Sequence, residues 1–143
     1  MGGGEHMKEQ QLSLKDSIGA ILNGTAKERE IFKGRFFHMA DTPAFMKELG
    51  LSGGHFSVRY GVISRHRGKD EGHDLTEQNW IDLCDAITKP FAIARYGNEY
   101  RIFTTVKIGA RHVAVGVDVK NIGMGIKVNA VSRACLKNRV NDH

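Results

Sequence analysis

The chain is predicted to be an α+β domain, with N-terminal helices packed on a four-stranded antiparallel β meander. Three observations lead there. Capped, amphipathic segments occupy the first part of the 143 residues. The last part breaks into short runs rich in β-branched and aromatic residues, separated by glycine turns. The best helical stripe and the best alternating strand lie next to one another in this order, each with an apolar face that needs burial.

The leader Met1-Gly2-Gly3-Gly4-Glu5-His6-Met7 reads as a cloning remnant that runs into a start methionine, so residues 1–7 are set aside and 8–143 are read as one domain. Residues 12–22 place Leu14, Ile18, Ile21 and Leu22 on one helical face, and Asn23-Gly24 stops the run. Thr25 and Glu28 have capping-box spacing ahead of Ile31 and Phe32. Residues 35–39 read as a short strand. Thr42-Pro43 opens a third helix, with Phe45, Met46 and Leu49 expected on its buried face and Gly50 just past its end.

Residues 55–63 alternate as a strand, with Phe56, Val58, Tyr60 and Val62 on one side. The polar stretch 64–73 follows, carrying His66 and His73 beside Arg65, Arg67 and Lys69. It runs into the clearest helix, over 77–87. Thr76 caps it, Leu75 and Trp80 fit a hydrophobic staple, and Trp80, Leu83, Cys84 and Ile87 recur at i, i+3, i+4, i+7. Pro90 prevents its continuation.

Four strands are predicted beyond it, over 91–96, 100–107, 112–119 and 126–132. Gly97-Asn98, Gly109-Ala110 and the 121–125 stretch are the turns between them. In the third of these, Val113, Val115, Val117 and Val119 face one way, and His112, Ala114, Gly116 and Asp118 the other. The valine row matches the Trp80 stripe. The small and polar opposite face is open enough to hold a ligand.

The formal charge of +5 favours a polyanionic partner, because Lys and Arg concentrate phosphates. No apolar run approaches the ~20 residues of a membrane span. No basic-then-apolar leader marks secretion. Cys84 and Cys135 stand alone, which suits neither a disulfide scaffold nor a cysteine zinc site but does suit a reducing, cytoplasmic compartment. There is no HExxH pair and no glycine-rich loop from strand to helix, so a zinc hydrolase and a nucleotide-binding loop are not expected, and no cofactor is.

Between residues 42 and 132 a series of short motifs runs in order: Thr42-Pro43 before Leu49-Gly50, then Arg65-His66-Arg67-Gly68-Lys69-Asp70, then His73-Asp74-Leu75-Thr76-Glu77-Gln78-Asn79-Trp80. Pro90-Phe91-Ala92-Ile93, Val115-Gly116-Val117-Asp118-Val119-Lys120 and Val128-Asn129-Ala130-Val131-Ser132 follow. In these motifs and their order, about two-thirds of the chain resembles the C-terminal domain of phage MuF-type proteins and related prophage domains. That family is placed in the barnase–EndoU–colicin–RelE superfamily of metal-independent ribonucleases, many of them toxins. The resemblance implies helices followed by a four-stranded antiparallel sheet. It also implies a bacterial or phage toxin or effector that cuts RNA, tRNA among the candidates, with delivery into a target cell and a neutralising immunity or antitoxin protein as further expectations. The basic segment 133–139 has no counterpart in the family pattern.

Metal-free RNA cleavage needs a base for the 2′-hydroxyl, an acid for the leaving oxygen and a cation for the phosphoryl charge. His66 and His73 are the first candidates for proton transfer, with an ordinary solvated loop as the alternative. Asn129 and Ser132 are candidate donors to a phosphate or base, against plain strand polarity and a strand end. Arg65, Arg67, Lys69, Arg95 and Lys107 are candidate RNA contacts. His112 and Asp118 share a strand face but stand about 20 Å apart, too far to act as a pair. His38 and His55 have no sequence neighbours that suggest chemistry. The rival reading is a non-catalytic module that holds RNA or an acidic protein on the same basic sheet, with Tyr96, Tyr100 and Phe103 as stacking candidates.

Overall fold

A computed structural model describes residues 12–67 and 75–137. Strand β1 (Leu12–Ser13) leads into helix α1 (Leu14–Asn23), helix α2 (Ala26–Arg29) and a 3₁₀ turn (Glu30–Phe32). Strand β2 (Phe36–Asp41), helix α3 (Ala44–Glu48), strand β3 (His55–Arg59) and helix α4 (Tyr60–Ser64) follow. Helix α5 (Glu77–Ala86) then precedes β4 (Ala92–Tyr96), β5 (Glu99–Ile108), β6 (Arg111–Asn121) and β7 (Lys127–Lys137).

The architecture is α+β, but the sheet is not the expected four-stranded antiparallel meander. It has seven strands in the order β1-β2-β3-β7-β6-β5-β4 and is mixed. β4 to β7 pair antiparallel in succession. The expectation fails at β7, which also pairs parallel with β3, and β3 in turn joins β2 and β1. A parallel pair needs no local turn, so local hairpin rules cannot announce it. The helices are few and short, and α1 and α5, the longest, have ten residues each.

Residues 60–64 are a second correction: they form α4, not the end of a strand. Tyr60 and Ile63 are both buried, the i, i+3 relation of a helix, although Phe56, Val58, Tyr60 and Val62 also satisfy a two-residue period. In α3 only Met46 is buried; Phe45 and Leu49 are exposed.

One core lies on one face of the sheet. Leu14, Ile18 and Ile21 of α1 join Trp80, Leu83 and Cys84 of α5, and Ile87 just beyond it, over Phe37, Phe56, Val58, Ile102, Val113, Val115, Val117 and Val131. Local signals hold the α5 end in place. Thr76 and Asn79 form a capping box, and Leu75 is buried near Trp80 in sequence. The opposite face follows from the alternation and the register: His38, Ser57, Arg59, Arg101, Phe103, Ala114, Gly116, Asp118, Ala130 and Arg133 belong to it. Ser57, Phe103, Ala114 and Ala130 are buried there, and none of them belongs to the helix-covered core.

Candidate functional site

Among the described residues, the candidate site residues of the sequence are not brought into one cleft. Asn129 is fully buried. Its Oδ1 accepts from the Gly53 N–H at 3.0 Å, and its Nδ2 donates to Thr42 Oγ1 at 2.8 Å, to Gly53 O at 3.2 Å and to Leu51 O at 3.3 Å. Every polar position of the amide is committed to the 42–54 segment, which removes it as a donor to RNA. Ser132 is the extra residue of a β-bulge: Gly116 pairs with Arg133 and Val117 with Val131. Its hydroxyl donates to Gly116 O across that bulge at 3.2 Å.

Arg67 is committed as well. Its Nη1 donates to Ile21 O at 2.8 Å and to Leu22 O at 2.7 Å, satisfying carbonyls at the end of α1, which has no cation in its own last turn. Arg95 folds back on its hairpin, with Nε on Gly97 O at 3.1 Å and its guanidinium 5.1 Å from the Tyr100 ring centre. Lys107 borders a groove with Asp82, Asp85 and Lys89, where the carboxylates oppose a phosphate. His66 meets Trp80 edge-on at 5.4 Å. Lys69 and His73 lie outside the described residues. Arg65 is exposed and lines a cleft beside Arg59.

The structure instead brings together two histidines that are 17 residues apart in the chain. The rings of His38 and His55 lie 4.9 Å centre to centre with a 35° tilt, and Asp41 Oδ1 is 3.0 Å from His38 Nε2. Antiparallel pairing of β2 with β3 sets His38 across from Ser57 and Asp41 across from His55. A bulge at Met39 makes this possible. In a regular strand, residues three apart point to opposite faces; the extra residue puts His38 and Asp41 on the same one.

His38 and His55 are half-buried and Asp41 is exposed. Burial lowers the His55 pKa from its ordinary value, the neighbouring His38 lowers it further, and Asp41 works the other way. Among the described residues, neither nitrogen of His55 and only Nε2 of His38 has a hydrogen-bond partner. Two imidazoles thus lie together at one end of the sheet, one ring held by a carboxylate and the other biased toward its neutral form. Among the described residues no group of three or more His, Cys, Asp or Glu side chains is arranged to hold a metal ion. No helix among them is long and apolar enough to cross a membrane.

At the far end of the same face, Glu99 accepts both Nε and Nη2 of Arg133, at 3.1 and 2.9 Å, and lies 3.6 Å from Arg101, whose guanidinium sits 4.3 Å from the Tyr96 ring centre. This cluster is internally satisfied.

No family model, curated protein or solved structure matches the chain.

Proposed function

We propose that this protein is a metal-independent endoribonuclease that cleaves RNA by 2′-hydroxyl transesterification, with His38 and His55 as its proton-transfer pair. The observation that carries the reading is the pair itself: two adjacent imidazoles, one oriented by Asp41 and each with a ring nitrogen that has no partner among the described residues, on a basic protein. The resemblance of residues 42–132 to MuF-type domains supports the same reaction class.

His55, held toward its neutral form, takes the proton from the 2′-hydroxyl. The 2′-oxygen forms a bond to phosphorus as the bond from phosphorus to the 5′-oxygen breaks. His38, positioned by Asp41, gives a proton to that leaving oxygen. The products are a 2′,3′-cyclic phosphate and a 5′-hydroxyl. Asp41 acts through His38 as a positioning residue.

Incubation with RNA in the presence of chelator, followed by end-group analysis, tests this. Cleavage to cyclic phosphate ends should survive EDTA, and His38→Ala and His55→Ala should each slow it by about 10²–10⁴-fold while the fold persists. If both variants keep full rate and His66→Ala or His73→Ala removes it, the chemistry belongs to the 64–73 stretch. Salt-sensitive RNA binding with no product at any pH would make the protein a binding module.

A further inference from the structure

The β2–β3 end of the molecule has a cleft of about 390 Å³ lined by Gly34, Arg59, Tyr60, Gly61, Val62 and Arg65. We infer that this cleft is a second phosphate site, which holds the RNA backbone next to the phosphate presented to His38 and His55; the inference rests on the ribonuclease reading above.

Among the described residues the cleft's charge is one-sided. Arg59 and Arg65 are both exposed, and neither has an ion pair among the described residues; there the Arg59 guanidinium meets only the Phe36 ring, 5.6 Å from its centre. No carboxylate among the described residues lines the cleft. Tyr60, one of the lining residues, accepts from Arg29 Nη1 at its hydroxyl at 2.9 Å. In the internally satisfied cluster at the other end of the sheet, Arg101 and Arg133 share Glu99. Guanidiniums that have no ion pair among the described residues and border an open cavity have phosphate as their best-matched ligand, since the planar fork meets two phosphate oxygens at once.

The position fits a nucleic-acid strand rather than an isolated ion. Arg59 belongs to the same strand and the same face as His55, four residues on, or roughly 13 Å along β3. A chain of linked phosphates spans that separation, whereas one phosphate cannot touch both places. The floor is also clear: a Cβ built on Gly61 or Gly34 meets nothing within 4 Å. Gly61 lies in α4 without positive φ, so a side chain there enters the cleft without backbone strain.

The test separates binding from cutting. An oligoribonucleotide with a 2′-deoxy residue at the cleavage position is titrated into the full-length protein and into Arg59→Ala, Arg65→Ala and Gly61→Glu. Each variant should bind about tenfold more weakly or worse, as expected for loss of a charged hydrogen bond. The slope of log K against log salt should become shallower by about 0.7 for each phosphate that is no longer neutralised. In parallel, a dinucleoside monophosphate, which has no second phosphate, should be cut by all three variants at the wild-type rate, while longer RNA loses kcat/KM. Unchanged affinity and salt slope in all three variants would overturn the inference even if RNA is cut. Weakened binding without cleavage by any form would leave the second phosphate site standing and sink the ribonuclease reading instead. Circular dichroism of Gly61→Glu checks that the fold is intact, and the two arginine variants carry the test if it is not.

Discussion

Asn129 Nδ2 donates a 2.8 Å hydrogen bond to Thr42 Oγ1, joining two buried side chains 87 residues apart. The same amide closes on Gly53 through both its backbone N–H and its carbonyl. It thereby fixes the connection between β2 and β3 to β7, the strand that unites the two halves of the sheet. Asn129→Ala would leave the Gly53 N–H and the Thr42 hydroxyl buried with no partner. A loss of about 2–4 kcal/mol in urea unfolding is expected. Thr42→Val should cost less, since the amide keeps its bonds to Gly53 and Leu51. Loss of RNA cleavage in Asn129→Ala with undiminished stability would give the amide an RNA-contacting role after all.

Gly53 lies flat against β7. A Cβ there would collide with the backbone of Val128 and Asn129, atoms that have no rotamer to move. Gly53→Ala is expected to destabilise the protein at the upper end of the ~1–3 kcal/mol typical of overpacking. Gly54 makes the contrast, because a Cβ on it meets nothing within 4 Å. Gly54→Ala should be neutral or mildly stabilising through the unfolded chain. Equal effects of the two substitutions on the melting temperature would show that close approach to β7 is not what requires glycine.

How far the sequence reveals this molecule depends on the range of the interaction. The helix α5 is legible because Thr76, Asn79 and the Trp80–Ile87 stripe are all local. The turns at Gly97 and Gly109 are legible because both glycines take positive φ between paired strands. The mixed sheet is not, because the β3–β7 pairing joins segments some 70 residues apart with no turn to mark it. The site fares worst. His38 and Asp41 have the spacing that puts strand residues on opposite faces, and only the bulge at Met39 reverses this. His55 arrives from another strand. The polar stretch 64–73 stands out by composition, yet Arg67 serves the end of α1. The one available hint was the pair of histidines in two short predicted strands, and pairing them requires a register that composition does not supply.

Arg67 should behave as a structural cation. Its guanidinium holds the carbonyls of Ile21 and Leu22, and helix α1 packs directly on α5. Arg67→Ala is expected to cost about 1–2 kcal/mol, since it removes two charge-assisted bonds at a helix C-terminus. Arg67→Lys should recover only part of this, because one ammonium does not reproduce the fork. RNA affinity and its salt slope should stay at wild-type values in folded Arg67→Ala. A change in slope without a change in unfolding free energy would return Arg67 to the RNA contacts.

The His55 pKa gives the molecule a defined response to acid. Burial holds it below its ordinary value of 6.5, with His38 adding to the effect and Asp41 opposing it. The unfolded chain therefore binds a proton at a pH where the folded chain does not. Well above 6.5 His55 is neutral in both states and contributes no pH dependence. As the pH falls through 6.5 toward the lower folded value, unfolding takes up a proton and stability declines; once both states are protonated the decline stops. Chemical unfolding of wild type and His55→Asn between about pH 7.5 and 5 isolates this share, and the variant should show the shallower decline. His38→Asn gives the complementary result. Removing the second-largest cause of the depression should raise the His55 pKa, visible as a shift of its ring resonance titration to higher pH. If the ribonuclease reading holds, the limb of wild-type cleavage that reports His55 as base should begin below pH 6.5. An unmoved His55 titration in His38→Asn would mean that the two rings, 4.9 Å apart, do not sense each other's charge.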